Sequence, residues 1–133
     1  MAARKLHHLE GTYAVARLEP TTPVPPWADG AGFVSITRTD DELSIVCRAD
    51  RVPQCVQVAV SWACFKLQGP FAFDETGVVL SVIEPLSKNG VGIFVVSTYD
   101  GDHILVQSAD VERSVALWQA AGHLVTGVGI HIR

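Results

Sequence analysis

The sequence is short of most features that announce a function. It has three cysteines, Cys47, Cys55 and Cys64, an odd number with no CxxC spacing, so no disulfide framework is expected and free thiols point to a reducing compartment. No run approaches the roughly 18 apolar residues of a membrane span. The opening MAARKLHHLEG lacks the apolar stretch of a secretory leader; a cytoplasmic protein with a flexible segment at residues 1–9 is expected. Ten Lys and Arg against fourteen Asp and Glu give a net charge of −4 with no block of either sign, which argues against a phosphate backbone or a membrane as partner. GxSxG, GxxxxGK[ST] and HxxxH are all missing, and the five histidines show no ligand spacing. No nucleophile is paired with a base, so no metal, cofactor or enzyme activity is expected.

What is present is a chain of 133 residues, 48% apolar, enough to build a core, and a repeat. GFVSITRTDDELSIVCRADRV (32–52) lies without a gap on GIFVVSTYDGDHILVQSADVE (92–112): Gly32 meets Gly92, Thr37 meets Ser97, Asp40 meets Asp100, Glu42 meets Asp102 and Val46 meets Val106. Each copy is an apolar strand, an acidic turn and a second apolar strand, which is a hairpin. Upstream, YAVARLEP (13–20) matches WACFKLQGP (62–70) as a leading strand. Between the second leading strand and its hairpin, TGVVLSVIEPLSKNG places Val78, Val79, Val82, Ile83 and Leu86 on one helical face, with Asn89-Gly90 as a stop. Pro85 predicts a kink or a break at Glu84. After the second hairpin, SADVERSVALWQAAGH predicts a helix capped by Ser108, with Val111, Val115, Trp118 and Ala121 on one face and Gly122 at its end. VTGVGIHIR reads as a closing strand. In the first copy PTTPVPPWADGA replaces one helix and Pro53 forestalls the other. The reading is α+β, a two-layer sandwich of tandem units, with a helix-poor unit at 10–60 and a full β-α-β-β-α-β unit at 61–133.

On GIFVVSTYDGDHILV (92–106) and SADVERSVALWQAAGH (108–123), the chain resembles the ACT-domain proteins. More narrowly, it resembles the small tandem-ACT proteins related to CASTOR-type amino-acid sensors and to aspartate kinase regulatory domains. The resemblance implies ferredoxin-like βαββαβ units in tandem, a small effector, most often an amino acid, at an interface between units, regulation rather than catalysis, and a homodimer. Carried over by position, it implies a pocket made by Asp74, Glu75, Thr76, Gly77 and Val78 at the entry to the first helix and by Thr98, Tyr99 and Asp102 after the next strand. Gly101 and His103 depart from the larger and aromatic residues usual in relatives.

The residues alone leave these roles open. Asp100-Gly101 is a two-residue hairpin signal that explains Asp100 by geometry. Asp102 reads either as an exposed acid that discourages edge pairing or as a counter-ion for an ammonium group, with helix-start amides for the matching carboxylate. Asp74 and Glu75 also suit a helix start, and Thr98 and Tyr99 also suit a strand; Trp62 and Trp118 read as core. In the first unit Thr39, Asp40 and Glu42 occupy the corresponding places. Two functions fit: a non-catalytic amino-acid-sensing regulatory protein, or a protein–protein interaction module or regulatory subunit with no ligand of its own.

Overall fold

The computed structural model describes residues 3–69 and 76–127. In chain order they form β1 (Lys5–His8), β2 (Tyr13–Leu18), β3 (Ser35–Arg38), β4 (Leu43–Arg48), β5 (Gln57–Leu67), α1 (Val78–Ser87), β6 (Ile93–Ser97), β7 (Asp102–Gln107), α2 (Val111–Ala120) and β8 (Leu124–Gly127). Single 3₁₀ turns occupy Pro26–Ala28, Ala49–Arg51 and Ser108–Asp110. The chain divides into two compact units, Gly11–Trp62 and the described residues of Met1–Glu10 with Ala63–Arg133.

In the unit Gly11–Trp62, the strands pair in the order β3-β4-β2-β5, with β5 contributing Gln57 to Trp62. The alternation of LSIVCR turns Leu43, Ile45 and Cys47 inward, all fully buried. They pack on Ala16 of β2 and on Ala28 of the turn Pro26–Ala28. The proline-rich connector thus covers the sheet where the other unit has a helix.

In the other unit the strands pair in the order β6-β7-β5-β1-β8, and α1 and α2 lie against them. Leu6, Phe65, Leu67, Ile104 and Val106 of the sheet meet Val82, Leu86 and Trp118 of the helices. Phe65 and Trp118 pack edge to face with ring centroids 4.9 Å apart, whereas Trp62 is only half-buried. The expected flexible start is corrected: β1 sits between β5 (antiparallel, Leu6 opposite Leu67) and β8 (parallel, Leu6 opposite Val125). Ladder bonds on both sides and the full burial of Leu6 fix a segment whose polar residues otherwise suit solvent. His7 Nδ1 lies 3.0 Å from the Thr126 hydroxyl, and His8 stacks on Phe65 at 4.6 Å. The described residues up to Glu10 therefore belong with the second unit. Of the expected closing strand, β8 is its first part; Val128, Ile130 and Ile132 lie outside the described residues.

Both helices end as their glycines predict. Gly90 and Gly122 take φ of 76° and 92°, and the backbone closes over each: Val91 N–H donates to Leu86 O at 3.0 Å and His123 N–H to Trp118 O at 2.9 Å. The start of α2 differs from expectation. Ser108 opens a 3₁₀ turn and Asp110 stands at the cap position, so the chain tightens for one turn before the α-helix begins.

No break occurs at Glu84; α1 is a single helix with Pro85 inside it. A proline in that place leaves the carbonyl one turn earlier, that of Ser81, without its N–H donor. His123 supplies one, its Nε2 lying 2.8 Å from Ser81 O. The same ring accepts the Arg4 backbone N–H on Nδ1 at 2.9 Å. An accepting Nδ1 puts the ring proton on Nε2, so one imidazole satisfies both groups.

Replacing His123 by Leu should leave the Arg4 N–H and the Ser81 carbonyl unpaired and lower unfolding free energy by about 2–4 kcal/mol, measured by urea denaturation. The loss should shrink in a Pro85→Ala background, where residue 85 regains an N–H for Ser81; a double-mutant cycle in which the two changes simply add would refute the bridge. The thiols are also separable. Cys55 is exposed and Cys47 and Cys64 are buried. Burial pushes the Cys64 thiol up to about 12 and raises Cys47 as well, with Arg51 partly offsetting and Asp50 adding. A thiol reagent at about pH 8 should label one cysteine of the native chain and all three of the unfolded one.

Candidate functional site

The hairpin of β6 and β7 ends with Ser97 opposite Asp102, leaving residues 98–101 as the connection. Thr98 closes it, donating its N–H to Gly101 O at 2.6 Å and its hydroxyl to the same oxygen at 2.9 Å. The bend falls at Tyr99 and Asp100. The expected Asp100-Gly101 primed turn is not made, because it needs positive φ at both residues and neither has it. Gly101 is small for another reason: a Cβ there would stand 3.3 Å from the Leu67 carbonyl of β5.

The hairpin of β3 and β4 is built alike, with Arg38 opposite Leu43 and Thr39 N–H donating to Glu42 O at 2.9 Å. Thr39 therefore corresponds to Thr98, and the repeat runs one residue out of step with the alignment of acid on acid. Leu43, not Glu42, is the counterpart of Asp102. β4 and β7 bury the same inward positions, Leu43, Ile45 and Cys47 in one and Asp102, Ile104 and Val106 in the other. A slip of one residue exchanges the two faces of a strand, so Asp102, which reads from sequence as an edge acid or a counter-ion, takes an inward, buried position. Asp102 is 9% exposed where Leu43 is 0% exposed.

Asp102 receives little in return for its burial. The Ser97 hydroxyl donates to its Oδ1 across the hairpin, and no described residue forms an ion pair with it. Sequence reasoning passed over Ser97, although it stands opposite Asp102 once the hairpin is paired. Beside it, His103 is held below its ordinary value by burial first and by Lys66 second, with Asp102 opposing both.

The other expected residues fall in two places. Thr98 is exposed with its hydroxyl turned back on the turn, and Tyr99 projects outward, 81% exposed. At the start of α1, Gly77 takes the cap position with φ of 77°, and no side chain among the described residues caps the first amides. A Cβ on Gly77 would meet no described residue within 4 Å. Thr76 is exposed, and Val78 points its side chain into the core with Ile104, offering the backbone alone. No hydrogen bond or ion pair joins Asp102 to Thr76, Gly77 or Val78. Asp74 and Glu75 lie outside the described residues. Among the described residues no three His, Cys, Asp or Glu side chains gather as for a metal, and no helix is long and apolar enough to cross a membrane.

Chemically, the hairpin end offers a buried carboxylate with spare acceptor capacity, and the helix start offers N–H donors with no side-chain partner among the described residues. Because a leucine fills the same place in the other unit, Asp102→Leu should fold and raise unfolding free energy by about 1–2 kcal/mol. Gly101→Ala should lower it through the contact with Leu67. Paired thermal melts of the two variants check both signs.

Comparison with known proteins places the chain. An ACT-domain family model matches residues 57–117, and a model of an N-terminal domain family matches residues 11–55. No curated protein matches it. The crystal structure of protein Atu0741 from Agobacterium tumefaciens is 60% identical, covering 100% of this chain and 99% of that one with a TM-score of 0.93. A Vibrio cholerae protein of unknown function, described as a possible transport protein, shares the fold at 14% identity, 90% coverage of both chains and a TM-score of 0.71. Aspartate kinase of Clostridium acetobutylicum also shares it, at 15% identity over 84% of this chain and 33% of the kinase, with a TM-score of 0.62. The α+β architecture with ferredoxin-like units is thus shared with that aspartate kinase, and the chain is a small ACT-domain protein of one family with Atu0741.

Proposed function

We propose that the chain is a non-catalytic regulatory protein that senses a small zwitterion, an α-amino acid. Asp102 receives the ammonium group, and the backbone amides that follow Gly77 receive the carboxylate. Thr98 and Tyr99 border the ligand from the hairpin, with Thr76 and Val78 beside the helix start and Asp74 and Glu75 ahead of it. The observation that carries this reading is the carboxylate in the place of a buried leucine. Such a group lowers the stability of the empty protein, and a bound cation offsets that cost. Membership of the ACT domain and the description of the Clostridium acetobutylicum kinase as an allosteric enzyme support a regulatory role.

Regulation would act by linkage: the ligand populates whichever arrangement binds it better, by no more than the difference in affinity. The resemblance supports a homodimer as the working form, and the buried free thiols suit the cytoplasm. Since the first unit has Leu43 where the second has Asp102, each chain takes one ligand.

The test is a thermal-melt screen of the purified protein against the twenty standard amino acids, followed by calorimetric titration of any hit. A compound at about 100 times its dissociation constant adds about 2.7 kcal/mol, a rise of several degrees. One amino acid should raise the melt with a stoichiometry of one per chain, and Asp102→Asn should abolish the rise. A response that survives Asp102→Asn would refute the assignment of the ammonium site. Silence across the panel would favour a protein–protein interaction module.

A further inference from the structure

The unit Gly11–Trp62 holds two half-buried arginines that form no ion pair with a described residue. Arg51 donates its Nε to the Trp27 carbonyl at 3.2 Å and its Nη1 to the Ala31 carbonyl at 2.8 Å, while its Nη2 is buried without an acceptor. Arg48, the last residue of β4, has its Nε sealed without an acceptor. What seals it is glycine: a Cβ on Gly11 or Gly32 would stand 3.1 or 3.0 Å from that nitrogen. The two Nη nitrogens of Arg48 make no hydrogen bond with a described residue and reach solvent. Neither arginine forms an ion pair with a described residue.

Both guanidinium groups press on one loop. Gly30 lies against Arg51, where a Cβ would come within 2.8 Å of Cζ, and Gly32 lies against Arg48. Tyr13, fully buried, pins the loop by accepting the Phe33 N–H on its hydroxyl at 3.0 Å. A side chain at 30 would push Arg51 off, and one at 32 would meet the Tyr13 hydroxyl at 2.6 Å and Arg48 Nε at 3.0 Å, so the two glycines leave room for both guanidinium groups against the loop. The carboxylates at hand do not neutralise them: Asp29 accepts the Gly30 N–H at 2.9 Å, and Asp50 is exposed. Two partly desolvated cations so held are unfavourable until an anion joins them.

We infer that this loop and Arg48 form a binding site for a small oxyanion, a carboxylate or a phosphate group, gripped by the outer Nη pair of Arg48 with the charge of Arg51 behind it. A planar guanidinium presents its two outer donors as a fork that fits either group. The site is separate from that proposed at Asp102, of opposite polarity and in the other unit.

The experiment is a titration of the wild-type protein with sodium phosphate, and separately with sodium acetate, against sodium chloride at equal ionic strength. Melting temperature is read together with the amide resonances of Ala31 and Gly32 and the Nε–H resonance of Arg48. Phosphate or acetate should raise the melt saturably and move those resonances with one dissociation constant, and the arm that binds tighter names the ligand group. Arg48→Gln should weaken binding at least tenfold, and Asp102→Asn should leave it unchanged, which separates this site from the amino-acid site. Responses equal to those of chloride, or unchanged affinity in Arg48→Gln, would overturn the inference. Should Arg48→Gln fail to fold, resonance shifts in the wild type confined to residues away from Gly30, Gly32 and Arg48 would overturn it equally.

Discussion

One imidazole holds the second unit in register. His123 reaches the Ser81 carbonyl of α1 with one nitrogen and the Arg4 amide ahead of β1 with the other. Pro85 creates the need, since a buried carbonyl left without a donor costs about 1–3 kcal/mol. Gly122 creates the means, because its left-handed backbone ends α2 and turns the next residue back toward α1. A proline on one helix and a glycine at the end of the other are thus complementary parts of one contact. The arrangement of β1, α1, α2 and β8 follows from it.

On that frame the two hairpins diverge in charge rather than shape. Each is closed by a threonine at the start of its connection and each buries the same inward positions of its second strand. The first unit keeps an apolar interior and gathers arginines around a glycine loop. The second admits a carboxylate into the interior and begins a helix with no side-chain cap among the described residues. A duplicated piece of structure has therefore been specialised by very few side chains, with Leu43 and Asp102 the sharpest contrast.

Much of this was legible in the chain. The helices announced themselves by their apolar period and by Gly90 and Gly122, and the hairpins by apolar runs about an acidic turn. The repeat was visible too, but one residue out of step, because acids were laid on acids while the fold repeats a threonine and a pattern of burial. Asp102 could be singled out, yet only the pairing of Ser97 with it revealed that it is buried. Lys5–His8 escaped notice because one leucine among charged and histidine residues carries no alternation, and its partners lie far along the chain. Pro85 signalled a break for a similar reason: the group that heals the helix is not a neighbour in sequence.

The position of β1 bears on how the chain is made. Gly11–Trp62 is contiguous, so it is complete once its own residues have left the ribosome. The unit around it is discontinuous in sequence: β1 is synthesised before Gly11–Trp62, and β8, its parallel partner, only after it. During translation β1 waits for its place in the sheet until β8 has been made, while the intervening unit is free to form. Its lysine and paired histidines keep the waiting segment hydrated, with Leu6 the one apolar side chain it must shelter.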